Sequence, residues 1–499
     1  MWLSCVLMTA VIAVGADEQR EKEAATAILP RPRIEKAGEG AVTLAAKGGS
    51  VTVAFRGGEN GQPFREGLDL LSRRVKVLGG AGAEVAEDAR VVVERCDADA
   101  FRALLKKHGV TEALESDRLE QAYALSAADG GVTIRAVGDL GCFYGLVSLV
   151  QLIEAADDGG IRAPAVEIVD WPEIARRLSK ASATSSRLAG LRRAAEWLPL
   201  YKFSFMALQY HGKRSKDPEP PFPENVRTIC GEVRRRGVLR TIVYFCPFKG
   251  RGYDLTQPDD RTAYTDQLLK FMAQGADGVE IDYNDWPGKI DVPMQEVLTF
   301  ACVAVREKHP EAIVLWCPPV LGPVSYRRMA TPQLKAVLDA SPKAVMPLWT
   351  GMATLITRPL TARTLEQWTQ KAGRRPFLWV NRASLTQAKT FGRKVKGMPG
   401  VIVFRGDFLP ETLHDLVEGV HLNSSFGSGK DLTSGTFAPA NLVFLATAAD
   451  FLWNPHGWTP AGSARRAGRF VEIMAPLVAQ RDPGTPSGRA PSPESTGKL

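Results

Sequence analysis

The sequence predicts an α/β chain built on a (β/α)8 TIM barrel, preceded by a small α+β domain and followed by a helical region. Three observations carry that expectation. After Asp170-Trp171-Pro172, strand-like and helix-like segments alternate in about eight units over roughly 250 residues, the size of such a barrel. The strand segments are short apolar runs, as buried parallel strands are. Before Asp170 the rhythm differs, with β-branched alternating runs and fewer helices. A doubly wound sheet is the structural alternative.

Taken in order, residues 1–16 read as an export signal. LMTAVIAVGA is an unbroken apolar run, charge begins at Asp17, and the small-residue pattern VGA puts a cleavage after Ala16. The run has no Lys or Arg before it, so a merely buried apolar start is the alternative. The expected destination is the periplasm or the extracellular space. Residues 17–28 are charged and Ala-rich, a linker. Residues 28–170 form the α+β domain: VTLAA, VTVAF, RVVVE, YALSA and GVTIRAV are strands. FREGLDLLSRRVKVL, DADAFRALLKKH and the strongly apolar LGCFYGLVSLVQLIEA are helices.

Residues 171–430 form the barrel. Its strands are expected at KFSFMAL, RTIVYF, GVEIDY, AIVLWCP, AVMPLWT, RPFLWVN and GVIVFRG. LAGLRRAAEWLPLY, YTDQLLKFMAQ and MQEVLTFACVAVREK are helices among them. Residues 431–481 read as helical, from ANLVFLATAADFLWN and AGSARRAGRFVEIMAPLV. Trp453 and Trp458 are expected to pack the terminal helices on the barrel. Residues 482–499 are rich in Pro, Ser and Gly, and are expected to be disordered.

Composition narrows the function. The net charge is +8, but the basic residues fall in short groups such as Arg234-Arg235-Arg236 and Arg465-Arg466, without interleaved aromatics. Solvated helix faces account for them, so no nucleic-acid partner is expected. Past the signal, no stretch is long and apolar enough to span a membrane. There are six histidines, no HExxH and no Cys/His cluster, so no metal is expected. Six cysteines lie past the signal with no CxxC spacing, mostly in apolar contexts where cysteine acts as a small hydrophobe.

The chemistry centres on DGVEIDYNDWPG. It places five acidic or amide side chains within nine residues, from Asp277 to Asp285, at the end of an apolar strand. In a barrel, strand C-termini open into the active site. Glu280 and Asp282 are two apart and share a strand face; Asn284 joins them if the strand continues. Asp285 begins the loop. Two acidic groups can divide the labour of glycoside hydrolysis, one protonating the leaving oxygen and one stabilising positive charge. Aromatic faces bind the apolar faces of sugar rings, and Tyr210, Trp316, Trp349 and Trp379 stand at strand ends. Glu280 is also expected one layer deeper, orienting Asp282. His211 is the one histidine near the expected mouth. Asn381 and Asn423 are candidates for hydrogen bonds to sugar hydroxyls, or are loop caps.

YALSAADGGVTIRAVGDLGCFYGLVSLVQLIE and VEIVDWPEIARR resemble the N-terminal domain of bacterial β-N-acetylhexosaminidases. The barrel resembles glycoside hydrolase family 84, the O-GlcNAcase and hyaluronidase-like family. PLWTGMATLI, RPFLWVN, GVHLNSS and TAADFLWNPHGW match its motifs in kind. DGVEIDYN also resembles the strand-four DGxDxDxE signature of the family 18 chitinases, with Asn284 at the acid's place. The family 84 resemblance implies substrate-assisted hydrolysis with retention, without a cofactor. An aspartate that orients the 2-acetamido group falls on Asp282. The general acid–base falls on Tyr283, a departure that leaves Asp285 as the candidate acid. The family's EGFYG-like segment is replaced by RRLSKASATSSR. Lys213 and Arg382 are candidates to receive a sulfate or uronate.

The expected function is therefore a secreted glycoside hydrolase acting on N-acetylhexosaminide-containing glycans. The catalytic residues are Asp282 and Asp285. The substrate-binding residues are Glu280, Asn284, Tyr210, Trp349, Trp379, Asn381 and Asn423. A carbohydrate-binding pseudoenzyme, or a hydrolase for a differently substituted sugar, is the alternative.

Overall fold

A computed structural model describes residues 28–128, 130–182, 188–210, 224–246, 253–282, 292–317, 332–351, 360–380, 392–394, 402–404, 406, 409, 416–426 and 439–481. The first unit is a mixed sheet. Its strands are β1 (Ile34–Ala45), β2 (Ser50–Arg56), β3 (Gly82–Val85), β4 (Val91–Arg95), β5 (Tyr123–Ala128), β6 (Gly131–Ala136), β7 (Glu154–Ala155) and β8 (Ile161–Asp170). The order is β1-β8-β5-β6-β4-β2-β3, with β7 on β8. Helices α1 (Gln62–Val77), α2 (Ala98–Lys107), α3 (Ser116–Leu119) and α4 (Asp139–Leu152) accompany it.

Helix α4 is apolar on all sides and almost every residue of it is buried. Such a helix must be covered on all faces. One side lies on the sheet, where Gly145 admits Ile134: a Cβ there would come within 2.4 Å of Ile134 Cγ2. On another side Tyr144 meets Trp453 edge-on, with ring centroids 5.5 Å apart.

The second unit is a closed parallel barrel of eight strands. They are β9 (Arg177–Ser182), β10 (Phe205–Tyr210), β11 (Arg240–Phe245), β12 (Gly278–Asp282), β13 (Ile313–Cys317), β14 (Val345–Trp349), β15 (Phe377–Val380) and, after a hairpin, β18 (Gly419–Phe426). The outer helices described are α5 (Leu188–Leu200), α6 (Glu224–Arg236), α7 (Pro258–Ala273), α8 (Val292–Lys308), α9 (Pro332–Ala340) and α10 (Ala362–Ala372). Strand alternation separates two cores. Phe205, Ala207, Ile242, Leu315, Leu348 and Phe377 fill the barrel interior. Met206, Leu208, Val243, Val279 and Trp316 face the helices. The α/β architecture predicted from the repeated units is the one observed.

Two barrel assignments differ from the sequence expectation. GVIVFRG is not a barrel strand. Its residues Ile402–Phe404 form β17, antiparallel to β16 (Gly392–Lys394). The Phe404 N–H is tied to Thr447 Oγ1 at 2.9 Å, on a C-terminal helix. A short apolar run reads alike in either setting. The eighth stave is GVHLNSSF, and the first is RLSKAS, which turns Leu178 and Lys180 into the barrel.

Helices α11 (Pro439–Trp453) and α12 (Pro460–Ala479) close the fold. Thr459 caps α12, its Oγ1 accepting the Gly462 N–H at 3.2 Å, with Pro460 in the first turn. Three parts of the chain meet at Asp170, the last residue of β8. Its Oδ2 accepts Lys202 Nζ at 3.0 Å and the Tyr123 hydroxyl at 2.8 Å. Its Oδ1 accepts Trp453 Nε1 at 2.7 Å and the Arg33 N–H at 3.2 Å. Lys202 adopts a left-handed φ of 59° and sits 4.4 Å from the centre of the Trp453 ring. Arg177, opening β9, covers the same indole and hydrogen-bonds the Lys202 carbonyl and the Gln121 side chain. Among the described residues, no helix is long and apolar enough to cross a membrane. No two of the described cysteines are joined in a disulfide.

Candidate active site

Strand β12 is the fourth stave, and all five of its residues are buried. Its start is pressed against β13: a Cβ at Gly278 would lie 2.2 Å from the Ile313 carbonyl oxygen. Asp277, just before it, has a structural task. Its Oδ2 accepts the Thr241 N–H at 2.8 Å and so fixes the start of β11. That removes one of the five clustered side chains from the chemistry.

Glu280 and Asp282 share the inward face of β12 and neither is exposed to solvent. Asp282 is the better supported of the two. The Tyr244 hydroxyl, from β11, donates to its Oδ2. The Cys317 thiol, from β13, also hydrogen-bonds it. Burial pushes the Tyr244 hydroxyl well above its ordinary value, and the Asp282 charge adds to that. Burial and then the same charge raise the Cys317 thiol. Both groups therefore remain protonated donors at neutral pH.

Glu280 faces His421 of β18, whose Nδ1 lies 3.3 Å from Oε2. The two are close, but the approach lacks hydrogen-bond alignment. Neither carboxyl oxygen and neither ring nitrogen has a hydrogen-bond partner among the described residues. Burial, and next the Asp282 charge, push the Glu280 carboxyl well above its usual range, with Lys180 opposing. Burial, and next Lys180, hold His421 well below its usual value. Both shifts favour the neutral forms of the two groups over an ion pair. Lys180, on β9, places its Nζ 4.9 Å from the centre of the Tyr244 ring.

Trp379 of β15 belongs to this interior. It stacks on His421 with centroids 5.9 Å apart and planes 7° from parallel. It also meets Tyr244 in a tilted contact at 6.5 Å. Asn423 is buried two residues beyond His421, on the same strand face.

Tyr210 and Trp349 are corrections. Trp349 points out of the barrel and stacks on Trp368 of α10, with centroids 4.8 Å apart and 2% of its surface exposed. Tyr210 packs on Phe245 and, edge-on, on Phe271 of α7. Trp316 is likewise in the outer core. These rings join barrel to helices, so they offer no face to a sugar within the barrel. Asn284, Asp285 and Asn381 lie outside the described residues, as do His211, Lys213 and Arg382.

Sequence reasoning missed Lys180, Tyr244 and His421 as members of the cluster, and took Cys317 for a small hydrophobe. A signal was present. In RLSKAS, RTIVYF, IVLWC and GVHLN each stands at an inward position, two residues from another inward one.

Residues 25–171 match the profile of glycosyl hydrolase family 20, domain 2, less than a third of the chain. No curated protein sequence matches. The structure named CpGH84B superposes with a TM-score of 0.65 at 17% identity, covering 90% of this chain and 74% of that one. CpGH84D gives 0.63 at 16%, covering 89% and 72%. The chitobiase of Flavobacterium johnsoniae, FjGH20, gives 0.59 at 14%, covering 91% and 72%. The chain has the fold of the family 84 and family 20 glycoside hydrolases, with its N-terminal unit similar to domain 2 of family 20.

Proposed function

We propose that this protein is an exported glycoside hydrolase acting on N-acetylhexosaminide-containing glycans by substrate-assisted, retaining hydrolysis. The observation that carries the reading is the sealed carboxylate of Asp282 on the fourth barrel strand, held by two donors beside an inward Trp379. Burial of charge at that cost is unusual in a barrel whose only task is packing. The solved structures of like fold include an exo-β-N-acetylglucosaminidase from Vibrio harveyi, determined with N-acetylglucosamine.

In this reading Asp282 orients and polarises the 2-acetamido group, whose oxygen attacks the anomeric carbon. Asp285 donates the proton to the leaving oxygen and later activates water. Glu280 lies one layer deeper, its carboxyl facing His421 rather than Asp282. Trp379 is the aromatic platform; Asn284, Asn381 and Asn423 hold sugar hydroxyls. The substrate is a glycan, and the mechanism needs no cofactor. The apolar run ending at Ala16 supports export.

A second reading is favoured by one observation: Tyr283 and Asn284 stand where the resembled families carry their acid. A neutral tyrosine is a weak general acid. That would leave a protein that binds N-acetylhexosamine without cleaving it. Two aryl or alkyl β-N-acetylglucosaminides separate the readings, one with an activated and one with a poor leaving group. An enzyme with its acid at Asp285 cleaves both, and Asp285→Asn loses mainly the poor one. Binding without cleavage of either substrate selects the second reading.

A further inference from the structure

We propose that Tyr244 is a positioning residue for Asp282: its hydroxyl fixes one carboxylate oxygen and, with the Cys317 thiol, keeps the negative charge of the barrel interior on Asp282 rather than on Glu280. Two carboxyls, two residues apart on one strand face, compete for that charge, because like charges in a dry interior cannot both ionise cheaply. Donors decide the competition, since a hydrogen bond to the charged form favours it. Asp282 takes donors from β11 and from β13. Glu280 takes none among the described residues.

The Tyr244 ring is itself held. Lys180 lies over its face, where the ring quadrupole attracts a cation. Trp379 closes another side. The hydroxyl is thereby aimed at Asp282. Lys180 faces this point from β9, Tyr244 from β11 and Cys246 from just past its end, Glu280 and Asp282 from β12, Cys317 from β13 and His421 from β18. Strands β10, β14 and β15 turn inward only Phe205, Ala207, Met346, Leu348, Phe377, Trp379 and neighbours that do not titrate.

The test has two arms, of which only the kinetic one rests on the proposed function. In the first, infrared difference spectra between the wild type and Asp282→Asn isolate the Asp282 carboxylate band, followed against pH. The same difference is taken between Tyr244→Phe and Tyr244→Phe/Asp282→Asn. Loss of the donor should move the Asp282 titration to higher pH, by about one unit or more. An unmoved titration overturns the proposal. Should Tyr244→Phe fail to fold, Cys317→Ala removes the other donor and should move the band in the same direction.

In the second arm, Tyr244→Phe should lower kcat by about 10- to 100-fold, the worth of a hydrogen bond to a charged group. KM should change less than about threefold. The acid limb of the pH profile should move up. In the Asp282→Asn background the substitution should add nothing. An equal loss in both backgrounds would mean that Tyr244 acts independently of Asp282, and overturns the proposal. A shifted band in a protein that cleaves no hexosaminide would sink the hydrolase reading and leave this inference standing.

Discussion

Asp170 and Glu280 are both carboxyls sealed from solvent, yet their surroundings differ in kind. Asp170 accepts four hydrogen bonds, from Lys202, Tyr123, Trp453 and the Arg33 backbone, and these tie the N-terminal sheet, the barrel and the last helices together. Glu280 and its neighbour His421 have no hydrogen-bond partner among the described residues. A buried polar group without partners costs about 1–3 kcal/mol. The Asp170 cluster is complete, and its bonds serve cohesion. The Glu280 cluster keeps bonding capacity at the inner end of the barrel mouth, where a barrel enzyme does its chemistry.

The largest expected effect falls on the complete cluster. Asp170→Ala leaves Lys202 buried without its counter-charge, and removing one partner of a buried pair costs about 3–5 kcal/mol. Chemical denaturation followed by circular dichroism should show the midpoint fall accordingly. A loss under about 1 kcal/mol would make the junction incidental and erase the contrast.

Next come the two tryptophans that sequence treated alike. Trp349→Ala opens the outer core beside Trp368 and should destabilise by about 3–5 kcal/mol, with sugar binding unaltered in the folded fraction. Trp379→Ala should weaken the binding of N-acetylglucosamine, measured by calorimetry. Weaker binding in Trp349→Ala, with Trp379→Ala unaffected, would reverse the inner and outer assignments.

The smallest effect belongs to Glu280→Gln. Glutamine resembles the neutral acid, so stability near pH 7 should change by less than about 1 kcal/mol, or rise. The pH dependence carries the sign. The folded-state value of Glu280 lies above the ordinary 4.5, so its contribution to stability is full below pH 4.5 and is lost as pH rises through the folded value. Melting temperatures against pH should show the wild type losing stability relative to Glu280→Gln over that rise. His421 has the opposite sign. Held below its ordinary 6.5, it favours folding above pH 6.5, and that contribution is lost as pH falls through its folded value. Parallel wild-type and Glu280→Gln curves would show that Glu280 is an ordinary carboxyl.

The barrel was legible because strands such as RTIVYF and AIVLWCP are buried on both faces and read as apolar runs between helices. The strand of the candidate site, β12, was legible for the opposite reason: Glu280 and Asp282 interrupt such a run. Strand RLSKAS was not recognised, since Lys180 and its serines break the apolar signal. Faces were legible only in part. Trp349 follows the inward Leu348 by one residue, and one residue reverses the side on which a strand residue lies. The contributions of Tyr244, Cys317 and His421 come from three different strands. Their meeting at β12 depends on the register of the closed barrel, which no single segment encodes.

The most direct measurement is the hydrolysis of an activated aryl β-N-acetylglucosaminide by the wild type and by Asp282→Asn, with both shown to be folded. The expected result is wild-type turnover and a loss of at least about 100-fold in kcat for the variant, the scale of removing one oriented polar group from a transition state. Equal turnover by the two proteins, or neither binding nor turnover by the wild type, would contradict the assignment of the barrel interior as a sugar-processing site.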